Sequence, residues 1–220
     1  MKKKGLYISL GMLIAFVIWT VLVRFVDVQT IGPENSAVGF AALNGAFHTF
    51  TGVHMDLYDL TDLLSVIPLG IIAGFGLLGL YQWIRRKKFL RVDSSILVLG
   101  GFYVVVMAFF AFFEVVEVNY RPILIEGVLE TSYPSSTTML AMCVLPTAIM
   151  QLRSRIQNRG LKACLTLVIA AFTAFMVIGR LISGVHWLSD IIGGALLSTG
   201  LVVLYNWTNT YIRHRTAQKV

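Results

Sequence analysis

The segment GRLISGVHWLSDIIGG, residues 179–194, lies between two long apolar stretches of the sequence. Its strongly polar side chains are Arg180, His186 and Asp190. An apolar stretch of about 20 residues is long enough to cross a bilayer as a helix. Two such stretches with a short connection predict two neighbouring transmembrane helices. The three polar side chains then lie together at one edge of the membrane, where a bundle interior or a functional site must accommodate them.

The composition of the whole chain also indicates a membrane protein. Of its 220 residues, 57% are hydrophobic and 13% are charged, with a mean hydropathy of +0.78. Soluble domains average about 25% charged residues. Apolar windows of spanning length lie at about 5–25, 62–84, 94–116, 135–152, 161–179 and 190–212, of which the fourth is the shortest. The sequence predicts an all-α, single-domain protein over residues 1–220, built as a six-helix transmembrane bundle.

The basic residues alternate along the chain in a way that predicts the orientation of this bundle. Fifteen of the 18 lie at the termini or in every second connection: Lys2, Lys3, Lys4, Arg85, Arg86, Lys87, Lys88, Arg91, Arg153, Arg155, Arg159, Lys162, Arg213, Arg215 and Lys219. Because Lys and Arg accumulate in cytoplasmic loops, both termini are expected in the cytoplasm. The net charge of +7 is therefore a topology signal, and no nucleic-acid partner is predicted. Arg24, Arg121 and Arg180 map to the opposite side.

The first outer connection, residues 26–61, is the longest segment between the predicted spans. Val38, Ala41, Ala42, Phe47 and Phe50 have near-helical spacing in it, which favours a helix lying in the membrane interface. His48 and His54 belong to this segment as interfacial histidines or as substrate contacts. Cys143 and Cys164 fall inside predicted spans, so neither a disulfide nor a metal site is predicted, and no cofactor is expected.

Three outer segments combine residue types that suit phosphoryl transfer. His186 and Asp190 are four residues apart and share a helix face. A carboxylate bound to one imidazole nitrogen leaves the other as a nucleophile or base. Arg121 and Arg180 can bind phosphate or carboxylate. The segment PSS at 134–136 suits a helix start, either as a simple cap or as an anion site.

The order and spacing of these residues resemble the type 2 phosphatidic acid phosphatases, a family of membrane lipid phosphatases with the signature K-x6-R-P, P-S-G-H and S-R-x5-H-x3-D. The motif region is 114–190, and the third motif fits best. The resemblance implies that His186 attacks phosphorus to form a phosphohistidine and that Asp190 orients it. It further implies that the phosphoryl oxygens are bound by Arg121, Arg180, Ser135 and Ser136. A bacterial inner membrane, with the site facing outside, is the implied location.

The chain departs from this signature at two functional positions. Glu114 stands where the family has a phosphate-binding lysine, and Thr137 stands where a histidine protonates the leaving oxygen. Gly179 also replaces the serine before Arg180. Threonine is no general acid near neutral pH, so we expect a substrate whose leaving group is weakly basic, such as a lipid pyrophosphate. Two interpretations of Glu114 and Glu117 stay open. They have a structural role, as ion-pair partners of an arginine or as side chains at the water interface, or one of them replaces the missing proton donor.

These observations favour a metal-independent membrane lipid phosphatase or pyrophosphatase. A polyprenyl pyrophosphate is the favoured substrate, with phosphatidate and phosphatidylglycerol phosphate as the other candidates. The alternative is a catalytically degenerate protein that binds lipid phosphates. A small transporter is less favoured, since its polar groups would be expected near mid-membrane. The expected partners are a membrane lipid and the bilayer, and the sequence leaves the oligomeric state open.

Overall fold

The computed structural model describes residues 3–217, with side chains through Arg215. Lys2 and Lys219, which belong to the predicted cytoplasmic clusters, lie outside these residues. Within the described residues the chain forms eight α-helices and no β-strand. The helices are α1 Lys4–Phe25, α2 Ala41–Thr51, α3 Met55–Leu64, α4 Val66–Arg86, α5 Ser94–Val115, α6 Ser136–Arg155, α7 Arg159–Ile182 and α8 Leu188–Ala217. Two short 3-10 turns lie at Pro33–Asn35 and Phe89–Arg91.

Five helical segments of the described chain are long and apolar enough to cross a membrane. They are α1, the nearly continuous α3–α4 pair, α5, α7 and α8. The protein is therefore an all-helical integral membrane protein. Helix α6 coincides with the fourth predicted window but is less apolar than the others. Most of its side chains, including Thr137, Thr138, Thr147 and Gln151, are buried against other helices. A helix surrounded by protein can carry polar side chains because it does not face lipid. The count of six spans stays a prediction.

Helix α8 lies at the centre of the bundle, where it contacts α1, α2, α5, α6 and α7. The core joins apolar side chains of α1, α5, α6 and α8, including Phe16, Val23, Leu99, Val106, Met139, Cys143, Leu197 and Leu201. Small residues let these helices approach closely, as is common in membranes. The Ser9 hydroxyl on α1, for example, donates to the carbonyl of Gly200 on α8 over 2.8 Å. This packing joins α8 to α1 within the bundle core, and His186 lies two residues before α8 begins.

The helix expected in the first outer connection is present as α2, and a second helix, α3, follows it. Residues between them pack against the connection from α7 to α8: the N–H of His54 donates to the Ser183 carbonyl over 2.9 Å. Gly184 has φ +72, and a side chain on it would meet the Gly52 carbonyl oxygen at 2.1 Å. The two connections therefore touch backbone to backbone, which requires glycine at this position.

The connection from α5 to α6 folds back on itself as a hairpin-like loop, residues 119–132. Isolated bridges pair Tyr120 with Thr131 and Ile125 with Val128. Glu126 and Gly127 form the two-residue turn with φ of 50 and 79, the left-handed geometry that suits a tight hairpin. The loop connects the C-terminal end of α5 to the N-terminal end of α6 and carries Arg121 on one arm and Glu130 on the other.

Candidate active site

A cavity of about 380 Å³ lies between the hairpin-like loop, α5, α6 and His186. Its apolar lining includes Phe109, Phe110 and Phe113 from α5 and Met139 from α6. Its polar lining consists of Glu114, Arg121, Glu130, Thr131, Ser132, Ser136 and His186. Ligand cavities are commonly 300–1,000 Å³ in volume. A lining with both apolar and polar side chains suits a molecule that has a polar head and an apolar tail.

His186 is buried, and its two ring nitrogens have different partners. Nδ1 lies 3.1 Å from the carbonyl oxygen of Ser132. A carbonyl only accepts hydrogen bonds, so Nδ1 carries the proton and Nε2 carries the lone pair. Nε2 faces Nη1 of Arg121 over 3.5 Å. The nitrogen that can act as a nucleophile is therefore directed at a guanidinium group.

The surroundings of His186 favour its neutral, nucleophilic form. Burial holds the pKa of His186 well below its usual value of 6.5, because a charged imidazole loses hydration there. The positive charges of Arg121 and Arg180 lower this pKa further, while the hydrogen bond to the Ser132 carbonyl acts in the opposite direction. The imidazole is thus unprotonated at neutral pH.

Asp190 is close to His186 but does not accept its hydrogen bond, which differs from the expected direct pairing. Asp190 Oδ2 is 3.8 Å from Nδ1 of His186. Oδ2 instead accepts from the backbone N–H of Trp187 over 2.9 Å. This contact caps the start of α8, and the Ser132 carbonyl orients the imidazole. Every residue carries a backbone carbonyl, so the residue type does not indicate which one accepts the hydrogen bond from His186.

Two buried asparagines that the sequence did not single out hold the start of α8 in place. The Asn44 side chain on α2 donates to the Gly39 carbonyl over 2.7 Å and to the Ser189 hydroxyl over 2.9 Å. Its oxygen accepts from the N–H of Ser189 over 3.1 Å. Asn119 donates to Oδ1 of Asp190 over 3.3 Å. Asn44 and Asn119 thus connect α2 and the hairpin-like loop to the residues beside His186.

Arg121 lines the cavity, with 8% of its surface exposed. Its Nε is 2.9 Å from Oε2 of Glu130, yet this buried N–H is not aligned for a hydrogen bond. Glu130 was not a sequence candidate. No sequence pattern places it opposite Arg121. The turn pair Ile125–Val128 would set Arg121 opposite Ser132, whereas the register at the base of the loop, Tyr120 with Thr131, sets it opposite Glu130.

Arg180 is almost fully buried and lies behind the cavity wall, not in it. Its guanidinium lies 4.5 Å from the centre of the Tyr58 ring, and that of Arg121 lies 5.9 Å from the same ring. Arg180 Nη2 contacts Asp62 Oδ1 over 3.4 Å, and Nη1 contacts the Thr61 hydroxyl over 3.3 Å. Gly179, beside it, packs against Thr61, where a side chain would meet Cγ2 at 2.9 Å.

Of the candidate residues at the start of α6, one caps the helix and another lines the cavity. Ser135 is the buried N-cap, and its Oγ accepts from the N–H of Thr138 over 3.4 Å. Ser136 lines the cavity, whereas the buried Thr137 does not. Glu114 lines the cavity from the end of α5 and is exposed.

The remaining candidates lie outside the cavity. His48 contacts the Gly184 carbonyl over 3.1 Å and packs on Trp187, and the exposed His54 contacts the Thr51 carbonyl over 2.9 Å. Cys143 and Cys164 are both free thiols. Among the described residues, no group of three or more His, Cys, Asp or Glu side chains could hold a metal ion.

The described chain is thus an all-helical bundle in which a buried histidine and an arginine line one cavity. The family model of the PAP2 superfamily matches residues 106–213, and this segment belongs to that superfamily. The fold is similar to that in the "Crystal structure of the first transmembrane PAP2 type phosphatidylglycerolphosphate phosphatase from Bacillus subtilis", with TM-score 0.60 and 18% identity. The similarity covers 93% of this chain and 96% of that one. No curated protein sequence matches the chain.

Proposed function

We propose that this protein is a lipid phosphatase that works through a phosphohistidine at His186. The observation that carries the proposal is the 3.5 Å approach of Arg121 Nη1 to His186 Nε2 at the wall of a half-apolar cavity. A phosphate bound by Arg121 lies beside the lone pair of Nε2. The Phe109, Phe110 and Phe113 wall then accommodates the start of a lipid tail.

The reaction has two displacement steps. In the first, the Nε2 lone pair of His186 attacks phosphorus, and the bond from phosphorus to the leaving oxygen breaks. Arg121 neutralises charge on the phosphoryl oxygens, and Asp190, at 3.8 Å from Nδ1, stabilises the charged ring. In the second, water attacks the phosphohistidine, the P–N bond breaks, and phosphate leaves with neutral His186 restored. We assign Arg180, Ser135 and Ser136 to support of the phosphoryl group around Arg121.

The substrate is proposed to be a lipid pyrophosphate, with a polyprenyl pyrophosphate favoured. Thr137 is buried outside the cavity wall and supplies no proton to a leaving group. A leaving phosphate needs little help because its second pKa is about 6, whereas an alkoxide from a monoester needs a general acid. The structural relative is described as acting on phosphatidylglycerol phosphate, a monoester, so this lipid and phosphatidate are the comparison substrates.

The site is proposed to face the outside of a bacterial inner membrane, with both termini in the cytoplasm. The alternation of basic clusters along the sequence supports this orientation. The orientation is tested in spheroplasts with one cysteine introduced at Glu126, at the tip of the hairpin-like loop, or at Lys87, after α4, in a variant whose native Cys143 and Cys164 are replaced by alanine. An impermeant maleimide is expected to label the first and not the second, and the reverse pattern contradicts the orientation.

The function is tested by phosphate release from purified protein in lipid discs, with and without a metal chelator. Wild type, His186→Ala and His54→Ala are each given the three lipids named above. We expect chelator-resistant release by wild type and His54→Ala, preference for the pyrophosphate, and a loss of about 10³-fold or more in His186→Ala. Labelled phosphate trapped on wild type and absent from His186→Ala identifies the nucleophile.

A second candidate function is supported by Glu114 and Thr137, which stand where the family has a cation and a proton donor. In this case the protein binds lipid phosphates without cleaving them. Binding of a lipid phosphate without release or a trapped phosphohistidine would identify this degenerate binder and refute the phosphatase.

A further inference from the structure

Glu130 lies in the cavity beside Arg121, where an anionic substrate would also bind. The hairpin-like loop brings it opposite Arg121, where the N–H of Arg121 donates to the Glu130 carbonyl over 3.0 Å. The Glu130 carboxylate lies 2.9 Å from Nε of Arg121. The Arg121 side chain is only 10% exposed, whereas that of Glu130 is 42% exposed and can turn outward.

The pair leaves Arg121 incompletely satisfied. Its buried Nε–H lacks an aligned hydrogen-bond acceptor despite the short distance to the carboxylate. A buried donor without an acceptor costs free energy that a better-aligned acceptor recovers. A phosphate group offers several oxygens and matches the planar guanidinium better than one carboxylate oxygen does. The Glu130 contact is therefore one that a phosphate can replace with gain.

The charges around the cavity make this replacement selective. The lining has one cation, Arg121, and two acids, Glu114 and Glu130, while His186 is neutral. A terminal phosphate carries about −1.5 to −2 charges near pH 7 and three free oxygens. A phosphodiester, the headgroup linkage of bulk phospholipids, carries one charge on two free oxygens. The terminal phosphate therefore carries more negative charge than the Glu130 carboxylate, whereas a phosphodiester carries the same charge as that carboxylate.

We propose that Glu130 is a specificity-determining residue, whose carboxylate competes with substrate for Arg121 and yields to terminal phosphates but not to phosphodiesters. The inference rests on the proposed function, in which Arg121 binds the phosphoryl group. It explains how a site that opens among phospholipids stays free of them. An added penalty against the wrong ligand is an effective route to specificity, because discrimination depends on the difference between two affinities.

The test measures binding of inorganic phosphate and of dimethyl phosphate to the purified protein at constant ionic strength. The readout is the ligand-dependent rise in unfolding temperature, which follows affinity by mass action. We expect Glu130→Gln to bind phosphate about fivefold more tightly, the upper end for a pair with one exposed partner. Dimethyl phosphate is expected to bind Glu130→Gln but not wild type.

Two control variants separate competition at Arg121 from a general change of charge. Glu126→Gln removes a charge at the exposed tip of the same loop and is expected to bind phosphate within twofold of wild type. Glu114→Gln removes a charge from the cavity without a contact to Arg121 and is expected to gain less than Glu130→Gln. If Glu130→Gln does not fold, Glu130→Asp, which keeps the charge but shortens the side chain, is expected to give an intermediate gain.

The outcomes distinguish this inference from the proposed function. Wild type that binds phosphate and cleaves a lipid, with Glu130→Gln binding phosphate equally or less tightly, overturns the role of Glu130 alone. An equal gain in Glu114→Gln, or equal dimethyl phosphate binding by wild type and Glu130→Gln, also overturns it. Wild type that neither binds phosphate nor releases it from any lipid overturns the proposed function and this inference together.

Discussion

Asn44→Ala is expected to destabilise the protein by about 3 kcal/mol. The substitution removes three buried hydrogen bonds, two donated by the amide and one accepted from the Ser189 N–H. The Ser189 hydroxyl keeps Asn119 as a partner at 3.3 Å. The Gly39 carbonyl and the Ser189 N–H have no such replacement, and each unpaired buried group costs about 1–3 kcal/mol. The lower half of the summed range is used because a water molecule can enter the space that the amide leaves.

The measurement is the free energy of unfolding from a denaturant titration in mixed micelles. Asn206→Ala, which removes an exposed asparagine from α8, is the matched control and is expected to stay within about 0.5 kcal/mol of wild type. Because Asn44 holds the start of α8 beside His186, phosphate release is expected to fall in Asn44→Ala and not in the control. Equal stability of the two variants would refute the assignment of Asn44 as a structural support of the site.

Further predictions concern pH and backbone geometry. The lowered pKa of His186 keeps its imidazole neutral below pH 6.5, so the acid limb of kcat/KM is expected there. For the same reason stability falls as pH drops below about 6.5, where the unfolded chain binds a proton that the folded one does not. Arg121→Gln removes a neighbouring cation and is expected to raise this pKa, as an NMR titration of His186 would detect. In Gly184→Ala the new methyl group has to displace the Gly52 carbonyl, and the free energy of unfolding is expected to fall by more than about 2 kcal/mol. Gly127 has a similar φ but open space around it, so Gly127→Ala is expected to cost about 1–2 kcal/mol. Thermal unfolding measures both variants, and equal losses of stability would contradict the clash at Gly184.

The sequence alone determined the membrane environment of the chain and indicated the family to which its motif region belongs. Apolar runs and clusters of basic residues are formed by residues adjacent in the sequence, and a membrane-spanning chain requires them, so they can be recognised without the tertiary structure. The prediction of an all-helical membrane protein is therefore confirmed, as is the family indicated by the Arg180, His186 and Asp190 spacing. The helix expected in the first outer connection is present as α2. Helix α6, the shortest predicted window, carries buried polar residues that pack within the protein.

Only the tertiary structure decided which side chains share the cavity and what each one contacts. Arg121 meets His186, while Arg180 binds Asp62 and Tyr58 behind the wall. The imidazole is oriented by the Ser132 carbonyl, an acceptor that every residue carries and that no pattern marks. Such contacts depend on the path of the chain between distant segments, which local sequence patterns do not contain. The backbone pairing at the base of the hairpin-like loop places Glu130 beside Arg121, and a buried asparagine on α2 contacts the start of α8.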